Sequence, residues 1–144
     1  MVRTALRLIR HPSDAFLALH MATFIAVAPR LLAKGDLRDV LRRIRLKGRV
    51  ARASYDRIRI LRGICLRFGP LAKCNTCYVR ALTLYRYLDA PDDVTEIHFG
   101  IECQRPGDAR LHGHAWVTVS GSILEGPPPA LEGRVREICL AGTS

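Results

Sequence analysis

The chain has 144 residues, 49% apolar and 25% charged, a balance that excludes a disordered tail, a collagen-like rod or a membrane bundle and fits one globular domain. Its formal charge of +10 is lopsided: residues 1–62 hold 15 Lys/Arg against 4 Asp/Glu, whereas residues 63–144 hold 8 against 9. The basic excess thus belongs to the N-terminal part and points to an acidic partner, to a membrane surface or nucleic acid, or simply to a solvated helix face.

Residues 1–11 form a basic amphipathic start with Arg3, Arg7 and Arg10 at helical spacing. His11-Pro12-Ser13-Asp14 is a helix-start signal, because Pro fits a first turn and Ser or Asp accepts from free backbone N–H groups. A helix is expected from about Ser13 to Leu32, bent at Pro29. Its most apolar run, Ala15 to Ala28, falls short of the roughly 20 residues needed to span a bilayer, so no transmembrane segment is expected. Asp36 caps a second helix whose Leu37, Val40, Leu41 and Ile44 share one stripe, with Arg38, Arg42, Arg45 and Arg49 on the rest and Gly48 as the stop. Ser54 starts a third, with Tyr55, Ile58, Leu61, Ile64, Cys65 and Phe68 as its apolar stripe and Gly69-Pro70 as its end.

Leu71 to Thr76 reads as a loop. The helix after it, Cys77 to Leu88, carries Cys77, Ala81, Leu84, Tyr85 and Leu88 on one face. Past the Ala90–Asp93 turn, Val94 to Cys103 reads as a strand and Gln104 to Leu111 as a loop. His114 to Val119 and Ser122 to Glu125 form a hairpin around Ser120-Gly121, and Arg134 to Leu140 a last edge strand. Helices first and strands after predict an α+β fold with a small antiparallel sheet. The division expected is a basic helical region, 1–62, leading into a core, 63–144, within one compact domain.

The chemistry concentrates at two points. A thiol becomes a nucleophile as thiolate, favoured by the positive end of a helix and by an imidazolium. Cys77 stands at a helix start, and His114 opens a strand that a helix-on-sheet packing brings near it. The imidazole needs an acceptor for its second nitrogen. Glu125, expected opposite His114 in the hairpin, supplies one. The Cys77 backbone N–H would be one oxyanion donor; the sequence assigns no second donor, Asn75 being a nearby candidate.

Other readings compete. Cys74 and Cys77 form half of a zinc pattern, but Cys103, His112 and His114 do not complete a second Cys-x-x-Cys or His-x-x-x-His pair, so neither metal nor cofactor is expected. A redox pair would need a βαβ context that is missing before Cys74. The basic helices suit a nucleic-acid module only weakly, since Tyr55 is the single aromatic among the central arginines and no recognition motif accompanies it. A catalytically dead scaffold is the third alternative. His98, Cys65 and Cys139 read as core, and Trp116 as packing beside His114. Five cysteines, with no cleavage site after the basic start, lead to the expectation of reduced thiols and a cytoplasmic location.

Cys77-Tyr-Val-Arg80-Ala-Leu82-Thr-Leu84-Tyr-Arg86-Tyr-Leu88 resembles the Cys-Leu-x-Arg-Ser/Ala-Leu-Ala-Leu-x-x-Leu-Leu helix of lasso-peptide leader peptidases. These are the protease domains of the microcin-processing B proteins, in the transglutaminase-like cysteine-protease superfamily. Glu96 to Ile101 resembles the next strand, Gly113-His114-Ala115-Trp116-Val117 the Ala-His-Ala-Trp-Val-Glu motif, and Ser120 to Leu124 the turn after it. The likeness covers residues 60–126. It implies a transglutaminase- or papain-like core, a Cys77–His114–acid triad and removal of the leader from a ribosomally made precursor peptide. It further implies a separate leader-recognition protein and an asparagine-synthetase-like cyclase as partners. The chain departs from the pattern in three places: the acid falls at Glu125, with Gly126 where the family has Asp; Thr118 replaces an acidic residue; and Cys74 adds a thiol.

Overall fold

A computed structural model describes residues 12–34, 36–47, 52–67, 69–102, 113–126 and 135–141. Among the described residues, four α-helices precede one sheet. They are α1 (Pro12–Lys34), α2 (Leu37–Lys47), α3 (Tyr55–Cys65) and α4 (Cys77–Tyr87), followed by β1 (Thr95–Glu102), β2 (Gly113–Val119), β3 (Ser122–Glu125) and β4 (Val135–Ala141). The sheet is antiparallel, ordered β3-β2-β1-β4. The architecture is α+β, and the final strand lies at the sheet edge against β1. Gly48 and the loop 104–111 fall outside the described residues.

The helix starts follow the local chemistry. Asp36 Oδ1 accepts from Arg38 N at 3.0 Å, so the carboxylate covers an N–H that α2 cannot satisfy internally. Val40, Leu41 and Ile44 are buried, as their spacing requires. Two expectations need correcting. Residues 69–74 form a 3₁₀ turn, not an irregular loop. The apolar run expected to stop before Pro29 belongs to a longer helix, since α1 carries Pro29 inside it and continues to Lys34. The stretch Pro12–Ala33 is therefore 22 residues long, enough by length and composition to cross a bilayer, where Ala15 to Ala28 alone was too short. Its inner face packs on the fold: Leu17, Met21, Ile25 and Ala28 are buried.

α4 is the axis of the domain. It lies on β2 and β1 on one side and against α1 and α3 on the other. Burial therefore runs nearly all round it, through Val79, Ala81 to Tyr85, Tyr87 and Leu88, rather than along one stripe. Its C-terminal end is pinned by the strand-like exchange of Ala53 N to Tyr87 O (2.8 Å) and Asp89 N to Ala53 O (2.9 Å). Tyr87 Oη, fully buried, meets His20 Nδ1 at 2.7 Å and donates to His20 O at 3.1 Å, which ties the helix to α1. On the sheet, Ile97, Phe99, Ala115 and Val117 form the core face.

Candidate active site

Thr76 sits in extended backbone conformation and its hydroxyl accepts from Val79 N at 3.3 Å, a cap that starts α4 at Cys77. The N–H groups of Cys77 and Tyr78 precede the first intrahelical acceptors. They present the positive end of the helix at the thiol. Cys77 is half-buried, and its Sγ donates to Gly113 O at 3.4 Å. The helix-borne thiol thus meets β2 at its first residue, the one before His114.

That closeness depends on Gly113 having no side chain. A Cβ there would lie 1.8 Å from Tyr78 Oη and 2.8 Å from Cζ, so any larger residue collides with the tyrosine. Tyr78 is held by stacking on Phe99, centroids 5.8 Å apart and planes 21° apart. Burial, and secondarily the charge of Cys77, push its phenol above the ordinary value.

His114 lies opposite Gly100 in the β1–β2 ladder, and its Nε2 is shielded from solvent. Strand alternation gives it the same face as Trp116 and Thr118. On that face Trp116 stacks on His98, centroids 5.2 Å apart and planes 5° apart, while His98 Nε2 meets Thr118 Oγ1 at 2.8 Å. His98 is a buried, hydrogen-bonded sheet residue.

Glu125 occupies a different place from the one expected. The ladder between β2 and β3 shifts between Val117 and Thr118: Thr118 pairs with Ile123, but Val117 pairs with Glu125. Leu124 is the extra residue of a bulge. A regular register would set Glu125 opposite Trp116, on the face of His114. The one-residue slip turns it to the helix side, opposite buried Val117. There its Oε1 accepts from Arg62 Nη2 at 2.8 Å and from Arg80 Nη2, and Arg62 Nη1 lies 2.7 Å from Oε2. Arg62 Nη1 also donates to Arg80 O at 2.9 Å. Burial is the largest single influence on this carboxyl and acts to raise it. The hydrogen bonds and charges of Arg62 and then Arg80 together outweigh it and hold the group below its ordinary value.

Arg62, 2% exposed, is the residue that the sequence reading missed. Its signal was present: an arginine one turn after Ile58 falls in the apolar stripe of α3, where a charge requires a buried carboxylate partner.

The other cysteines have separate surroundings. Cys74 ends the 3₁₀ turn and is half-buried, a free thiol like Cys77. Cys65 is buried, donates to Ala18 O at 3.5 Å, and is pushed up in pKa by burial. Among the described residues no group of three or more His, Cys, Asp or Glu side chains is arranged to hold a metal ion. Cys103 and His112 lie outside them.

The sequence profile of the transglutaminase-like superfamily matches residues 17–139. The chain belongs to that superfamily. The match reaches back into α1, so the family's sequence pattern includes the helices packed behind α4 as well as the sheet. No curated protein and no solved structure matches the chain.

Proposed function

We propose that this transglutaminase-like protein is a cysteine peptidase that removes the leader from a ribosomally made precursor peptide. The observation that carries the reading is the position of Cys77: first residue of α4, capped by Thr76, with Sγ on the carbonyl of Gly113 beside His114. The Cys77 thiolate attacks the carbonyl at the leader–core junction, and the oxyanion forms against the free N–H groups of the helix start. His114, which strand alternation sets on the face of β2 turned away from α4, reaches round the strand start at Gly113 to take the thiol proton and return it to the leaving amine. Water then hydrolyses the thioester. Glu125 is the acidic member of the set, and acts from the helix side by anchoring β3, and through it β2, to Arg62 and Arg80.

The substrate class rests on the resemblance of the Cys77–Leu88 and Gly113–Val117 segments to lasso-peptide leader peptidases. A separate leader-recognition protein and an asparagine-synthetase-like cyclase belong to the same reading. Incubation of the purified protein with a precursor peptide and its leader-binding partner, read by mass spectrometry, tests it. The expected result is release of one leader fragment by the wild type and none by Cys77→Ala. Equal cleavage by the Cys77→Ala protein rejects the mechanism.

A further inference from the structure

An open groove whose lining includes neither Cys77 nor His114 lies elsewhere among the described residues. It measures about 880 Å³ and runs between α1 and α2, lined as well by Arg86 near the C-terminus of α4. Its volume falls within the range of ordinary ligand sites, but its shape is that of a trough. Along α1 the wall is formed by Phe16, Leu19, Val27 and Leu31, spaced at helical repeats on one face. Phe16 is 57% and Leu19 69% exposed, so large apolar surface faces solvent along the whole trough. The floor, with Phe24, Val40 and Ile44, is buried and continuous with the core. From Phe16 to Leu31 the wall runs about 22 Å, some four helical turns.

The charges around the trough say what covers it. Its two acids are already used: Asp36 caps α2 and Asp39 pairs with Arg42 at 3.3 Å. Arg86 is used as well, lying 4.8 Å over the Phe24 ring and donating to Ile44 O at 3.2 Å. Arg30 on α1 and Arg43 on α2 face the trough from opposite walls, and neither has an acidic partner among the described residues. An apolar floor between two uncommitted cations fits a helix with an apolar stripe and flanking carboxylates. The chain's own first eleven residues do not match, since they carry Arg3, Arg7 and Arg10 and no acid.

We infer that the α1–α2 groove is the docking site for an acidic amphipathic helix of a partner protein. The anchors are apolar side chains at i, i+3, i+4 and i+7 that enter between Leu19 and Val40. Carboxylates on the two flanks meet Arg30 and Arg43. The site is independent of Cys77, so its test is binding and not cleavage.

The probe is a fluorescein-labelled synthetic helix of about 16 residues, with leucines at those spacings and glutamates on both flanks. A second peptide carries lysine in place of each glutamate. Fluorescence anisotropy with the full chain should give saturable binding of the acidic peptide, with Kd on the order of 10 μM, weakening with salt. Leu19→Asp should weaken it at least about tenfold. Arg43→Glu should weaken the acidic peptide and strengthen the lysine peptide. Both positions are exposed, so unchanged thermal melts would show that neither effect is unfolding. Equal binding by wild type and Leu19→Asp overturns the proposal, as does equal binding of the two peptides. So does absence of peptide binding alongside co-sedimentation with phosphatidylcholine–phosphatidylserine vesicles, which would make the face a membrane contact. Self-association abolished by Leu19→Asp would instead make it a dimer interface.

Discussion

Arg62 of α3, buried to 2%, reaches the carboxylate of Glu125 at the end of β3 and meets both of its oxygens within 2.8 Å. The contact joins two segments 63 residues apart in sequence, and Arg80 on α4 completes it. Such a cluster is costly to assemble, because two charges leave water, and more costly to break, because removal of one leaves the other buried. Arg62→Met is therefore expected to lower stability by about 3 kcal/mol, a fall in melting temperature on the order of 10 °C for a chain of this size. Arg62→Met/Glu125→Gln should cost less than the sum of the two single changes, by at least about 1 kcal/mol. Additive losses in thermal or urea unfolding would mean that the two side chains do not depend on each other.

The same cluster sets an acid limit. Glu125 is held below its ordinary value of 4.5 in the folded chain, so the folded state favours the ionised form. Its contribution is complete above the unfolded value and is lost as pH falls through the folded value. Stability should therefore decline below about pH 4.5 more steeply in the wild type than in Glu125→Gln, which has no carboxyl to protonate. Parallel acid-unfolding profiles for the two proteins would remove Glu125 from the account.

How much of this was legible depends on whether a residue's surroundings are local. Asp36 capping α2 and the Ser120-Gly121 turn are local, and both follow from the sequence. Ser120 (φ 49°) and Gly121 (φ 75°) adopt the paired left-handed conformations that a two-residue hairpin needs. Cys77 at a helix start was legible for the same reason. Nothing local announces the bulge at Leu124, and that single residue decides which face of the sheet Glu125 takes. The all-round burial of α4 was also hidden, since an apolar stripe reads one contact surface and α4 has two. Arg62 was visible as a charge in a buried stripe, but its partner came from a strand 63 residues away.

Gly113 and Tyr78 make a second pair in which one residue dictates the other. Gly113→Ala places a methyl carbon 1.8 Å from Tyr78 Oη. The ring can yield only by leaving its stack on Phe99. The expected cost is about 1–2 kcal/mol, in the range of overpacked sites. Tyr78→Phe should not relieve it, because Cζ would still lie 2.8 Å away. Tyr78→Leu should recover most of the loss when combined with Gly113→Ala. A Gly113→Ala protein as stable as wild type would show that the tyrosine swings away freely.

The two thiols of Cys74-Asn75-Thr76-Cys77 are half-buried alike, and only position separates them. Cys74 is the last residue of a 3₁₀ turn, and its carbonyl accepts from Thr76 N at 2.8 Å, so it stands at the end of a helical turn and no helix N-terminus favours its thiolate. Cys77 has the first turn of α4 behind it, its orphan N–H groups in front, and Gly113 O at 3.4 Å. Alkylation by iodoacetamide near neutral pH should therefore be faster at Cys77, as mapped by mass spectrometry. Cys74→Ala should keep cleavage activity while Cys77→Ala loses it. Thr76→Ala removes the cap on Val79 at a cost of about 1 kcal/mol. By loosening the turn that aims these N–H groups, it should slow Cys77 alkylation and lower kcat more than it raises KM. Preferential alkylation at Cys74, with loss of activity in Cys74→Ala alone, would transfer the nucleophile to the other thiol.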